Sequence, residues 1–70
     1  MNNFVKRLDE EKKELERKIQ KLSVFIHKSE KYHTLPIKER VLMEKQLIAM
    51  NEYSHALQGR ILFHHDSPPR

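Results

Sequence analysis

Apolar residues in the first part of the chain repeat at the spacing of one face of an α-helix. Successive members lie three, four or seven residues apart, and they form one seam: Val5, Leu8, Leu15, Ile19, Leu22 and Ile26. Alternating steps of three and four residues are typical of a helix that packs against another helix. No Gly or Pro interrupts this stretch. The pattern therefore predicts one unbroken helix over about residues 4–27.

A second apolar stripe predicts a second helix over about residues 36–63. Its members stand at helical spacing, with one serine among them: Met43, Leu47, Met50, Ser54, Leu57 and Ile61. Pro36 suits the start of this helix, because a missing N–H costs nothing in the first turn. An adjacent edge is also largely apolar, and it consists of Leu42, Gln46, Ala49, Tyr53, Ala56 and Arg60.

The polar residues 27–34 predict a connection between the two helices, and residues 64–70 predict a mobile tail. Two helices joined by a short turn favour an all-α fold, an antiparallel two-helix hairpin over residues 1–63. The second helix carries more apolar surface than one partner helix covers. We therefore expect the hairpin to assemble into a helical homo-oligomer.

Composition supports this expectation and limits the location of the protein. A 70-residue chain without cysteine cannot use disulfides, so self-association is the remaining source of stability. The net charge is +4, from 14 Lys and Arg against 10 Asp and Glu, which permits an anionic partner without requiring one. There is no membrane-length apolar run and no apolar signal core. We expect the protein in the cytoplasm of the cell that makes it.

No arrangement of residues indicates catalysis. The acidic residues of the first helix alternate with lysines, which is typical of a solvated face rather than of general acid–base chemistry. A glycine-rich phosphate loop is absent, and the adjacent pair His64 and His65 is typical of a tail rather than of a metal site. We expect no enzyme activity, no cofactor and no metal.

Several polar residues break the helical patterns and are the candidate functional residues. Lys12 lies in the apolar seam. It either has a structural role, setting the register of the helices or extending its ammonium to solvent, or it is a cation that binds an anionic ligand. His27, Lys28 and Ser29 follow the seam, either complementing the helix dipole or forming a phosphate-binding corner. Arg60 lies on the apolar edge, and in an antiparallel hairpin it is far from that corner within one subunit.

Two motifs in these helices resemble a family of small phage proteins. They are Lys21-Leu22-x-x-Phe25-Ile26 and Met50-x-x-Tyr53-x-x-x-Leu57-x-x-Arg60-Ile61, within a resemblance over about residues 5–62. The family is that of the anti-CBASS sponges of the anti-CBASS protein 2 type. CBASS is a bacterial antiphage immunity signalled by cyclic oligonucleotides. The resemblance implies a homohexamer of helical hairpins that binds cyclic di- and trinucleotides without cleaving them.

The resemblance also implies two kinds of pocket. The cyclic dinucleotide pocket of the family has a tyrosine and a lysine at the positions of Lys12 and His27, so this chain departs from the pattern, although Lys28 is adjacent. The cyclic trinucleotide pocket has a hydroxyl residue and an arginine, which Ser29 and Arg60 match. The implied ligand-binding residues are therefore Lys12, His27, Lys28, Ser29 and Arg60.

Two other functions fit parts of the pattern. A phage adaptor or structural protein could use the exposed stripe to bind a partner helix, and Lys12 would then set the register. A weak binder of DNA or RNA polymers is disfavoured, because the charge is mild and no aromatic residues interleave with a basic face.

Overall fold

Three helices make up the part of the chain that the computed structural model describes, which is the backbone of residues 3–66 and the side chains of residues 3–64. Helix α1 spans Asn3–Lys28, the short helix α2 spans Glu30–Thr34, and helix α3 spans Ile37–Asp66. The fold is all-α over this range, as the sequence predicts. Helix α1 has the expected extent to within one residue at each end.

The two long helices pack against each other in antiparallel orientation. Phe4 contacts His64 at one end of the hairpin, and Phe25 faces Met43 across a groove at the other end. The result is a slender rod with extents of 55 × 15 × 13 Å. A rod this thin has a single seam, so most side chains of each helix face outward.

The core is built from the predicted seam of α1 and the predicted stripe of α3. Leu57 is the most deeply buried residue, with 1% of its surface exposed, and it packs with Leu8 and Leu15. Partly buried residues extend this cluster along the rod: Ile19, Met50 and Ile61. Ser54, the serine of the stripe, is also buried. The helical spacing in the sequence therefore identified the buried faces correctly.

The polar connection is more ordered than the sequence indicated, because it folds into α2. The hydroxyl of Ser29 accepts a 3.2 Å hydrogen bond from the backbone N–H of Lys31, which caps the start of this helix. At its end, the N–H of Leu35 donates to the carbonyl of Tyr32. The carbonyl of Pro36 then accepts the first bond of α3, from the N–H of Arg40 at 3.1 Å. Pro36 thus immediately precedes α3, close to its expected position.

Tyr32 anchors α2 to the long helices. Its side chain is buried, and its hydroxyl donates a 2.7 Å hydrogen bond to the carboxylate of Glu44 on α3. Its ring meets that of Phe25 edge to face, with 6.2 Å between the centroids, and the Arg40 guanidinium lies 6.0 Å from the Tyr32 centroid. The hydrogen bond to Glu44 and burial both raise the pKa of Tyr32 above its usual value.

Helix α3 continues beyond the expected boundary. Residues 64–66, which the sequence pattern assigned to the tail, are helical, and residues 67–70 lie outside the described range. The absence of any apolar pattern after Phe63 had suggested an earlier end. Polar residues alone do not end a helix. The next residue in the sequence that disfavours helical structure is Pro68.

Large apolar side chains remain exposed on α3. They project from several sides of this helix: Ile37, Val41, Leu42, Ile48, Leu62 and Phe63. This agrees with the expectation that a lone hairpin leaves apolar surface uncovered. None of the helices in the described part of the chain combines the length and the apolar character that crossing a membrane requires.

Candidate functional site

Lys12 lies on a polar groove between the two long helices. The groove has a volume of about 440 Å³. Helix α1 contributes Lys12, Glu16, Ile19 and Gln20, and helix α3 contributes Asn51, Ser54, His55 and Gln58. Lys12 and Ser54 interrupt the two apolar patterns, and both of them line this groove. The two sequence exceptions therefore form one feature of the structure.

The ammonium of Lys12 is partly buried and already has one partner. Its side chain is 19% exposed, and it forms an ion pair with the Glu16 carboxylate one turn further along α1. An ammonium carries three donors, so this contact leaves hydrogen-bonding capacity for a ligand. A phosphate bound to Lys12 would also lie beside the Glu16 carboxylate. That carboxylate would repel the phosphate and compete with it for the Lys12 ammonium.

Amide side chains give the groove both donors and acceptors. The Asn51 amide nitrogen donates to the backbone carbonyl of Leu47 at 3.1 Å, and its side-chain oxygen remains an acceptor. Gln20 and Gln58 add amides from opposite helices. A site of this composition suits a ligand that carries an anionic group together with several neutral hydrogen-bonding edges.

His27, Lys28 and Ser29 lie together where α1 ends. The His27 Nδ1 atom is 2.8 Å from the backbone carbonyl oxygen of Ser23. Because a carbonyl only accepts, Nδ1 carries the hydrogen and Nε2 is left for another partner. Lys28 is exposed, and the Ser29 hydroxyl serves as the cap of α2. The Lys28 ammonium also complements the C-terminal end of the α1 dipole.

Arg60 lies at the opposite end of the rod. Its guanidinium carbon is 5.7 Å from the ring centroid of Phe4, and His64 packs edge to face against the same ring, with centroids 4.8 Å apart. No described carboxylate forms an ion pair with Arg60. Among the described side chains, the Phe4 ring is its cation–π partner and no carboxylate pairs with its N–H groups, so they can bind an anion.

A single hairpin does not bring the five candidate residues together. About 34 Å of α1 separates Phe4, beside Arg60, from His27, at a rise of about 1.5 Å per residue. Lys12 lies between the two ends. The sequence expectation that Arg60 and the His27–Ser29 corner are far apart in one chain is thus confirmed. Any pocket that combines them needs more than one subunit.

A second, mostly apolar groove on the hairpin was not anticipated. It has a volume of about 520 Å³, and it is lined by Lys18, Lys21, Leu22, Phe25, Met43, Gln46 and Met50. The available signal was the pair Lys18 and Lys21, which lie four residues and one residue before Leu22 on the same helix. The aromatic contacts of Arg60 were also missed, because Phe4 and His64 are distant in the sequence.

The described residues offer no group of three or more side chains that could hold a metal ion. What they define is a small helical hairpin with cationic side chains at both ends and in a polar groove between its helices. A family model described as Sequestin matches residues 2–63. The chain belongs to the Sequestin family. No curated protein and no solved structure matches it.

Proposed function

We propose that this protein binds and sequesters cyclic oligonucleotide second messengers without cleaving them, and thereby blocks CBASS immunity in the host cytoplasm. Membership of the Sequestin family supports the general part of this proposal, because the family name denotes sequestration of a ligand. The observation that carries the specific part is the partly buried Lys12 in a groove with three amide side chains.

The chemistry of this groove matches that of a cyclic oligonucleotide. Such a ligand has two or three phosphates in a rigid ring, and each base presents neutral donors and acceptors at its edge. Lys12 supplies a cation for a phosphate. Base edges require both hydrogen-bond donors and acceptors, and the amides of Gln20, Asn51 and Gln58 supply both. A rigid ligand loses little conformational entropy on binding, so a few such contacts give useful affinity.

A second pocket would use residues from several subunits. Ser29 and Arg60 match the trinucleotide pattern of the anti-CBASS sponges, and they lie at opposite ends of one hairpin. Symmetric assembly brings the end of one chain beside the other end of its neighbour. In the proposed homohexamer, Lys28, which precedes Ser29, would add a cationic group near the same phosphates.

The exposed apolar residues of α3 support the assembly that this pocket requires. Burying Leu42 and Ile48, which are 50% and 60% exposed, against a second copy would remove apolar area from water. Light scattering at micromolar concentration should therefore find a homo-oligomer, most simply a hexamer. A folded monomer under those conditions would contradict the assembly.

The same exposed surface also fits the second candidate function, a phage adaptor that binds a partner helix. Calorimetry separates the two functions. The protein is titrated with cyclic dinucleotides, cyclic trinucleotides and their linear counterparts at matched concentration. Sequestration predicts tight, saturable binding of at least one cyclic ligand. Absence of binding across the panel would refute sequestration of these messengers and favour the adaptor.

A further inference from the structure

The open end of the hairpin carries an aromatic cluster around Arg60. Phe4 comes from the first turn of α1, and Phe63 and His64 come from the last turns of α3. His64 meets Phe4 at a centroid distance of 4.8 Å and 88°, and it meets Phe63 at 5.1 Å and 79°. Both phenylalanines are largely exposed, at 45% and 68%. The rings are therefore ordered by one another but not covered by the hairpin.

Perpendicular contacts leave stacking surface available. When two rings meet edge to face, only one of them has a face covered by the other. A cluster of exposed aromatic rings beside a charged residue is typical of a surface that binds a ligand or a partner. The partner can be identified from the charge beside the rings.

Arg60 supplies that charge. The Arg60 guanidinium lies over the Phe4 ring, 5.7 Å from its centroid, and a guanidinium has five N–H donors. No carboxylate among the described side chains pairs with these donors. A planar cation with open donors binds a phosphate through two hydrogen bonds. The guanidinium covers one face of the Phe4 ring, and the part of Phe4 that stays exposed, 45%, can contact a flat heterocycle.

We propose that Phe4, with His64 packed against it, is a base-stacking platform that binds one nucleobase of the ligand while Arg60 binds the neighbouring phosphate. This inference rests on the proposed function, and it identifies Phe4 as a residue that recognises the base of the ligand. The alternative occupant, an apolar surface of a second copy, would leave the Arg60 donors without an anion. An aromatic ring beside a cation that has no carboxylate partner among the described side chains therefore favours a nucleotide.

The absence of tryptophan from the sequence makes the platform directly measurable. In Phe4→Trp the indole is the only strong fluorophore, and its stacking on a base should quench its emission. Tyr53→Trp is the matched control, because Tyr53 is 46% exposed, as Phe4 is, but is not one of the rings of the cluster and lies about two helical turns before Arg60. Both variants are titrated with the cyclic di- and trinucleotides that bind the unmodified protein.

The expected result is saturable quenching in Phe4→Trp and little change in Tyr53→Trp. Phe4→Leu, which keeps an apolar side chain but has no ring, should bind about 5- to 150-fold more weakly, the equivalent of ~1–3 kcal/mol per stacked base. Its assembled size by light scattering should be unchanged.

Two results would overturn the platform while leaving sequestration standing. One is ligand binding by the unmodified protein with equal quenching in both tryptophan variants. The other is a Phe4→Leu variant with undiminished affinity. If the unmodified protein binds no cyclic oligonucleotide, the proposed function and the platform are both wrong.

Discussion

The hydroxyl of Tyr32 lies 2.7 Å from the carboxylate of Glu44, and this hydrogen bond ties α2 to α3. The two residues belong to different elements, and Arg40 of α3 adds a second link, because its Nε–H donates to the carbonyl of Leu35 at 3.1 Å. The geometry of the Ser29 corner therefore depends on Tyr32, because Ser29 begins the helix that Tyr32 anchors.

Tyr32→Phe should lower the thermal midpoint at neutral pH by a few degrees, because Glu44 loses its donor while the ring contacts remain. The pKa of Tyr32 is raised above the usual 10.0, so the stabilisation is fully present below pH 10.0 and is lost as pH rises through the raised pKa. Thermal unfolding at neutral and strongly alkaline pH tests this. The variant should lose less stability than the unmodified protein on alkalinisation.

The exposed Tyr53 provides the control for this comparison. Tyr53→Phe should unfold like the unmodified protein at both pH values. If Tyr53→Phe and Tyr32→Phe behave alike, Tyr32 does not anchor α2.

Leu57→Ala should destabilise the protein by about 2–5 kcal/mol, the usual cost of such a truncation in a packed core. Leu57 is 1% exposed and contacts the centre of the seam. Leu62→Ala, at a position that is 48% exposed, is the control with the same chemical change. Urea unfolding at one fixed protein concentration measures both, because assembly makes stability depend on concentration. Equal losses in the two variants would contradict the assigned core.

The sequence predicted the long helices well because their apolar residues repeat at helical spacing over many turns. It did not predict α2, since a five-residue helix is too short for periodicity to appear. The contact that holds α2 joins Tyr32 to Glu44, twelve residues away, and neither residue lies on an apolar stripe. Local patterns identify elements, but they do not identify such cross-element hydrogen bonds.

The candidate site was predictable only in part for the same reason. Lys12 and Ser54 were visible as polar interruptions of apolar stripes, but their common groove depends on the register of α1 against α3. Phe4 and His64 come together only because the hairpin closes and α3 extends past Phe63. The expectation that residue 64 belonged to a tail concealed that contact.

Glu16→Gln should strengthen ligand binding if Lys12 binds a phosphate. The substitution removes the carboxylate that competes for the Lys12 ammonium and repels an anion, so affinity should rise several-fold. Glu14→Gln is the control, because Glu14 pairs with Arg17 on an exposed face and does not line the groove. Calorimetry measures both. A loss of affinity in Glu16→Gln would mean that the Lys12–Glu16 pair itself forms the site.

Arg60→Ala should weaken cyclic trinucleotide binding while the assembly persists. A charge-assisted hydrogen bond contributes about 1.5–3 kcal/mol, and a threefold pocket would lose three, so affinity should fall by several orders of magnitude.

Trinucleotides should also bind the unmodified protein better than dinucleotides, because Ser29 and Arg60 match the family pattern while Lys12 and His27 do not. Scattering and calorimetry on the same sample test this.

Collapse of Arg60→Ala to smaller species would identify Arg60 as a structural residue of an interface. Arg17→Ala serves as the control for loss of a positive charge, because Arg17 pairs with Glu14 on a solvated face. It should leave both size and affinity unchanged.

The most direct test of sequestration is recovery of the ligand. The protein is incubated with a cyclic oligonucleotide that it binds, freed of excess ligand, and heated until it unfolds, and the released nucleotide is identified by chromatography and mass. Binding without cleavage predicts that the cyclic ligand is recovered intact and in stoichiometric amount. Recovery of a linear product would show that the protein is an enzyme, and recovery of no nucleotide would show that it does not retain these messengers.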